Sequence, residues 1–171
     1  EGEALPGRQH VLDGEYYERI TAMDYAMTDD DGQAPWNLEA ADVILIGVSR
    51  TSKTPTCIYL ANRGLKAANI PIVLGVDLPH QLFFLDAPLL VGLINDAKNL
   101  LQVRRNRLRM LKEHEKTNYV DLEVIAEEVN FAKRLFAQHG WPVIDISRRS
   151  IEETAATIMK LLPQRLVGKV D

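Results

Sequence analysis

Cysteine is all but missing: Cys57 is the single thiol in 171 residues, so no disulfide can form within the chain, a usage that fits a reducing cytoplasm. Apolar runs of membrane-spanning length are missing too. Asp86 breaks "LFFLDAPLLVGLI", which leaves nothing near the ~20 apolar residues that a transmembrane helix needs, and no signal-peptide pattern opens the chain. There is no cationic excess; a formal net charge of -4 argues against a general nucleic-acid or membrane-surface binder, which needs positive charge to release counterions. Internal repeats and low-complexity tracts are absent, which excludes a solenoid. What is present is an ordinary globular composition, 46% hydrophobic and 26% charged, sufficient for one domain with a core, or one core plus an appendage. A chain that opens on Glu1 rather than methionine reads as a piece of a longer protein.

The hydrophobic spacing sets out a coarse architecture. Residues Asp13 to Met27 place Tyr16, Ile20, Met23 and Met27 on one helical stripe, the mark of an amphipathic helix, and "TDDDGQAPWN" then breaks it. Ala41 to Gly47 is a short continuous apolar run, as expected of a strand buried on both faces of a parallel sheet. A helix from about Pro55 would bury Cys57, Ile58, Ala61, Leu65 and Ala68, and proline is tolerated near its start. Ile70 to Val76 and Leu89 to Asn95 read as the next strands, with Asp96 placed to cap a helix over "AKNLLQVRRNRLRMLKE". A periodic helix over about Val120 to His139 turns Leu122, Ile125, Val129, Ala132 and Phe136 inward. Pro142 to Ser147 gives a fourth strand. The last helix opens with Ser150 and Glu153 in capping-box spacing and buries Ile151, Ala155, Ile158 and Leu162. Alternating strands and helices predict an α/β fold, a P-loop kinase-like parallel sheet with helices on both faces. Residues 1–40 would form a helical lead-in and linker, and 41–171 the nucleotide-binding domain.

Chemistry concentrates in "GVSRTSKT", residues Gly47, Val48, Ser49, Arg50, Thr51, Ser52, Lys53 and Thr54, where a buried strand passes into a helix. Phosphate loops occupy this position: successive main-chain N–H groups line a concavity, the helix N-terminus adds positive potential, a lysine reaches the terminal phosphates and a hydroxyl holds magnesium. The spacing is that of G-x-x-x-x-G-K-[ST], with Ser52 in place of the second glycine. Ser52 therefore either adopts an uncommon backbone conformation or reshapes the loop. The plainer reading is a polar strand-to-helix turn that binds nothing.

"GVSRTSKTPTCIYLANRGLKAANIPIV" closely resembles the nucleotide-binding segment of the pyruvate, phosphate dikinase regulatory proteins, relatives of the phosphoenolpyruvate synthase regulatory proteins. "HVLDGEYYERITAMDYAMTDDDG" and "PVIDISRRSIEETAATI" resemble the same family, so the likeness covers nearly the whole chain. The S-K-T loop is more similar to the dikinase regulators than to the synthase regulators, whose loops carry G-K-T. The resemblance implies a bifunctional enzyme. It would phosphorylate a threonine of the dikinase, or alternatively of phosphoenolpyruvate synthase, with ADP as donor, inactivating it, and reverse this by phosphorolysis, in which inorganic phosphate takes the phosphoryl group and leaves as pyrophosphate. It also implies a region upstream of this portion.

Such reactions bring anionic groups together and require concentrated positive charge. Lys53 is the first candidate to stabilise the transferred group, and Thr54 the candidate Mg2+ ligand. Arg50 offers a second cation, or an ion pair with a neighbour. Arg104 shares a helical stripe with Leu101, Leu108 and Leu111, and Arg107 lies one turn on; both are candidates for phosphate, although an arginine on an apolar face more commonly snorkels to the surface. Arg105 and Arg109 read as surface charges. Asp30 and Asp31 are candidates for the general base, or a solvated turn. Asp77 suits a magnesium contact or a turn before Pro79. His10 lacks an identifiable partner and Asp13 reads equally as a helix cap. Arg148 and Arg149 follow the last strand, where kinase folds of this kind contact adenine, or form a surface patch. Two other functions fit the loop: an ADP-binding regulatory module without chemistry, and a small-metabolite kinase using ATP. A homodimer is left open.

Overall fold

A strand with no polar residue on either face must be covered on both sides, and this requirement organises the fold. The computed structural model describes residues 8–28, 35–111 and 118–163. Its elements in chain order are α1 (Arg8–Thr28), β1 (Val43–Gly47), α2 (Lys53–Ala61), β2 (Ala67–Pro71), β3 (Leu89–Ile94), α3 (Ala97–Met110), α4 (Leu122–His139), β4 (Val143–Asp145) and α5 (Ile151–Leu161), with short 3-10 helices at Pro35–Ala40, His80–Phe84 and Asn118–Val120. The four strands form one parallel sheet in the order β2-β1-β3-β4. Val43 is paired with Ala67 on one side and Leu89 on the other. All five residues of β1 are buried.

Side chains of alternating sense feed two cores. Ile44, Ile46, Ala68 and Ile70 meet Leu100 of α3 and Ile125, Val129, Ala132 and Phe136 of α4. On the opposite face Val43, Leu45, Val91 and Leu93 meet Cys57 and Leu60 of α2 and Ala155 and Ile158 of α5. Each large aliphatic side chain so enclosed contributes about 1.5–3 kcal/mol. Helices therefore cover both faces of an α/β sheet, as the alternation of strand and helix predicts. Phe136 packs directly on Gly92, where a Cβ would fall 2.5 Å from its ring.

Several expected boundaries move. β2 begins at Ala67 rather than Ile70, and Val73 and Val76, expected inside it, are 49% and 63% exposed. The cause lies upstream. The helix starts at Lys53, ahead of Pro55, and stops at Ala61, where a turn through Gly64 at φ +79° reverses the chain. Leu65 and Ala68 are buried as expected, but in that turn and in β2 rather than on the helix, and Ile58 is exposed. Of the stripe assigned to the first helix, only Met23 packs inward, against Ala22, Ala26 and Ala61. Tyr16, Ile20 and Met27 face solvent, whereas α1 buries Ala22 and Ala26 against Ala61 of α2. Small residues permit the close approach of two helices, so size was a poor guide there. Tyr25 secures α1 by donating its hydroxyl to the Asn37 carbonyl at 2.8 Å. Leu122 and Leu111 are exposed, and β4 is a three-residue edge strand with only Ile144 buried. Asp96 occupies the N-cap position of α3 but makes no side-chain cap bond.

Candidate functional site: the loop after the first strand

In an open parallel sheet the crevice lies at the carboxyl ends of strands whose connections depart in opposite directions. Here β1 leads outward to β2 on one side, while β3 on the other side leads to β4, so the crevice opens beside the loop that leaves β1. That loop is sharply bent. Arg50 and Ser52 both have left-handed backbones, at φ 69° and φ 62°, and are the positive-φ non-glycine residues among those described. Of the two alternatives for Ser52, the structure selects the uncommon conformation. Left-handed residues alternating with residues of negative φ turn successive N–H groups toward one concavity.

The loop's carbonyls are held inward. Val48 O accepts from both Thr51 Oγ1 and Lys53 Nζ, each at 2.9 Å. Gly47 O accepts from Ile72 N at 2.9 Å, Ser52 O from Thr56 N at 3.1 Å, and Ser49 O from Arg104 Nη2 at 3.1 Å. No carbonyl among the described residues takes the main-chain N–H of Arg50, Thr51 or Ser52. Gly47 is required by close approach: a Cβ there would lie 2.7 Å from Thr51 Oγ1 and 2.8 Å from Leu93 O. Lys53 is buried under the loop at 6% exposure. The loop, the start of α2, Pro71 at the end of β2 and Val103 of α3 enclose a cleft of about 480 Å³. Ser49, Arg50, Ser52, Lys53 and Thr54 line it. Unpaired N–H groups, a helix N-terminus and an ammonium in one concavity suit an anion.

Arg104 neither snorkels nor lines the cleft. It is fully buried, paired to Glu128 at 2.7 Å, donating to Tyr119 O at 3.2 Å, with its guanidinium 4.8 Å from the Tyr119 ring centre. Removing one partner from a buried pair costs about 3–5 kcal/mol. Arg107 is exposed and lies four residues beyond Val103, on the stripe that borders the cleft. Arg105 is exposed, as are Asp77 and Arg148; Arg149 donates to Thr157 Oγ1 at 2.9 Å. Asp30 and Asp31 lie outside the described residues, as do the side chains of His10 and Asp13. Glu128 was missed in the sequence, although its place between Ile125 and Ala132 on the apolar stripe of α4 marks it as the counter-charge to an inward arginine.

A second cleft of about 220 Å³ lies at the carboxyl ends of β3 and β4, lined by Asn95, Asp96, Asn130, Lys133 and Asp145 among others. The hydroxyl of Ser147 donates to Asp145 at 2.6 Å and its N–H at 2.9 Å. These two bonds hold the carboxyl below its ordinary range, helped by Lys133 and Arg149 and opposed by partial burial. No cluster of three or more metal-binding side chains occurs among the described residues, and no described helix is long and apolar enough to cross a membrane.

A model of the kinase/pyrophosphorylase family matches residues 1–159. Three relatives carry, provisionally, the name pyruvate, phosphate dikinase regulatory protein. The Caulobacter vibrioides protein is 56% identical over 156 residues, 91% of this chain and 50% of that protein. The Sphingopyxis alaskensis protein is 56% identical over 165 residues, 96% and 61%, and the Rhizorhabdus wittichii protein 54% identical over 162 residues, 95% and 59%. The chain thus spans roughly half to three-fifths of the length of the curated relatives it matches.

Proposed function

The chain belongs to the kinase/pyrophosphorylase family, and from that premise we propose that it carries the nucleotide-binding portion of a bifunctional regulator of pyruvate, phosphate dikinase. In the forward direction a threonine hydroxyl of the dikinase attacks the β-phosphorus of ADP. AMP departs, and the threonine proton passes to a base, for which Asp30 and Asp31 stand as candidates. In reverse, an oxygen of inorganic phosphate attacks the phosphothreonine phosphorus, the threonine oxygen leaves and takes up a proton, and pyrophosphate forms.

The observation that carries this reading is the loop itself, with the Val48 and Ser49 carbonyls held inward, left-handed backbones at Arg50 and Ser52, no carbonyl partner for the N–H groups of Arg50, Thr51 and Ser52 among the described residues, and Lys53 beneath them. Both directions place two phosphoryl groups in contact, and fixed donors in a low-dielectric cleft stabilise the charge that builds up there. Arg107, exposed on α3 one turn beyond the cleft-lining Val103, is the candidate for a further cation. Thr54 lines the cleft next to Lys53, and its hydroxyl is the candidate hard oxygen for Mg2+, which commonly takes few protein ligands and completes its shell with phosphate and water. When bound, the ion would neutralise phosphoryl oxygens.

The test uses the full-length protein with the dikinase and ADP, reading phosphothreonine by mass spectrometry and pyrophosphate release on adding phosphate. Lys53→Ala should lower both rates by about 100-fold or more. A protein that binds ADP and yields no phosphothreonine would instead be a regulatory binding module.

A further inference from the structure

Burying an arginine completely beneath a loop is costly unless every direction of its guanidinium finds an acceptor. Arg104 answers most of that demand by spanning three parts of the chain, Glu128 on α4, Tyr119 O just before α4 and Ser49 O in the loop, while its buried Nε has no hydrogen-bond partner among the described residues. The bond to Ser49 has a geometric consequence. A trans peptide is planar, with its C=O and N–H pointing in opposite directions. Drawing the Ser49 carbonyl inward therefore aims the Arg50 N–H outward, toward the cleft that Arg50 lines. The same residue holds its backbone at φ 69°, a conformation that persists only where the surroundings over-determine it.

We propose that Arg104 is a positioning residue: locked by Glu128 and Tyr119, it fixes the orientation of the Ser49–Arg50 peptide and so presets one amide of the anion cradle. Its guanidinium acts on the loop from below and touches no phosphate. This inference rests on the reading of the cleft as a polyphosphate site, but its first test does not use a ligand.

Nitrogen-15 relaxation on the ligand-free chain should show rigid amides at Arg50, Thr51 and Ser52, with order parameters near ~0.85. Glu128→Gln, which keeps the shape of the partner and removes its charge, should lower them toward ~0.6 in this loop while α5 stays rigid. Arg104→Lys, with one ammonium in place of a fork, should do the same. Calorimetry with pyrophosphate should then give a dissociation constant raised by about tenfold in Glu128→Gln, the scale of one misaligned charge-assisted contact. Tighter binding in that variant would overturn the proposal, because it would mean that Glu128 restrains an arginine meant for phosphate. Unchanged loop dynamics would also overturn it, as would loosening spread over the whole chain, the signature of a merely structural ion pair. Failure of the wild-type chain to bind pyrophosphate would count against the proposed function, while the relaxation data would still decide the role of Arg104.

Discussion

Ser52 sits at φ 62°, ψ 27° at the entry of α2, where the phosphate-loop pattern carries glycine. A left-handed backbone costs a residue with a Cβ roughly 1–2 kcal/mol, of which glycine's greater freedom in the unfolded chain returns about half. Ser52→Gly should therefore stabilise the chain by up to about 1 kcal/mol in urea unfolding, with pyrophosphate binding retained. A loss of stability would show that the hydroxyl itself matters. Asp145 gives a pH prediction. Its carboxyl, held down chiefly by the Ser147 hydroxyl, titrates lower in the folded state than in the unfolded one. The stability it contributes is complete above the unfolded value of about 4 and is lost as pH falls through the folded value. Urea midpoints measured downward from pH 6 should fall more gently in Asp145→Asn, and the difference should appear only below about pH 4. Residue-level chemistry of this kind was half legible. The types and spacing of "GVSRTSKT" pointed to the cradle, but the left-handed Arg50 and the partnership of Arg104 with Glu128 depend on elements distant in the chain.

Helix ends separate into those anchored by a side chain and those that are not. Asp121 accepts the N–H groups of Glu123 and Val124 at the start of α4, and Ser150 accepts that of Glu153 at the start of α5. Asp121→Ala should cost about 1 kcal/mol. Asp96→Ala, at the start of α3, removes no cap bond and should cost less than about half as much, limited to the helix dipole. Thermal unfolding of the two variants side by side gives the comparison. The elements themselves were legible where a period repeated over several turns, as in α4 and α5, or where an apolar run was continuous, as in β1 and β3. The limits of α2 and β2 were not, because Leu65 and Ala68 continue the helical pattern past the point where the chain has already turned. In α1 four large residues were expected to be buried, whereas contact with Ala61 selects Ala22 and Ala26, with Met23 alone of the four packed beside them.

At the scale of the whole molecule, one face of the sheet and the cleft are joined by contacts that run through α4. Phe136 of α4 rests on Gly92 of β3, and the same helix carries Glu128, which holds Arg104 against the loop. Gly92→Ala should cost about 1–3 kcal/mol through overpacking. Because it displaces α4, it should also weaken pyrophosphate binding in calorimetry, although Gly92 does not line the cleft. The sequence alone determined the α/β class, the two-sided burial of the central strands and the place of the loop, since all three follow from local residue type and period. Only the tertiary structure decided which strand lies beside which, which face of α1 is inward, and that Arg104 turns under the loop rather than into solvent. Those outcomes depend on what packs across the gap, and a linear pattern does not contain the neighbour that supplies the missing surface or charge.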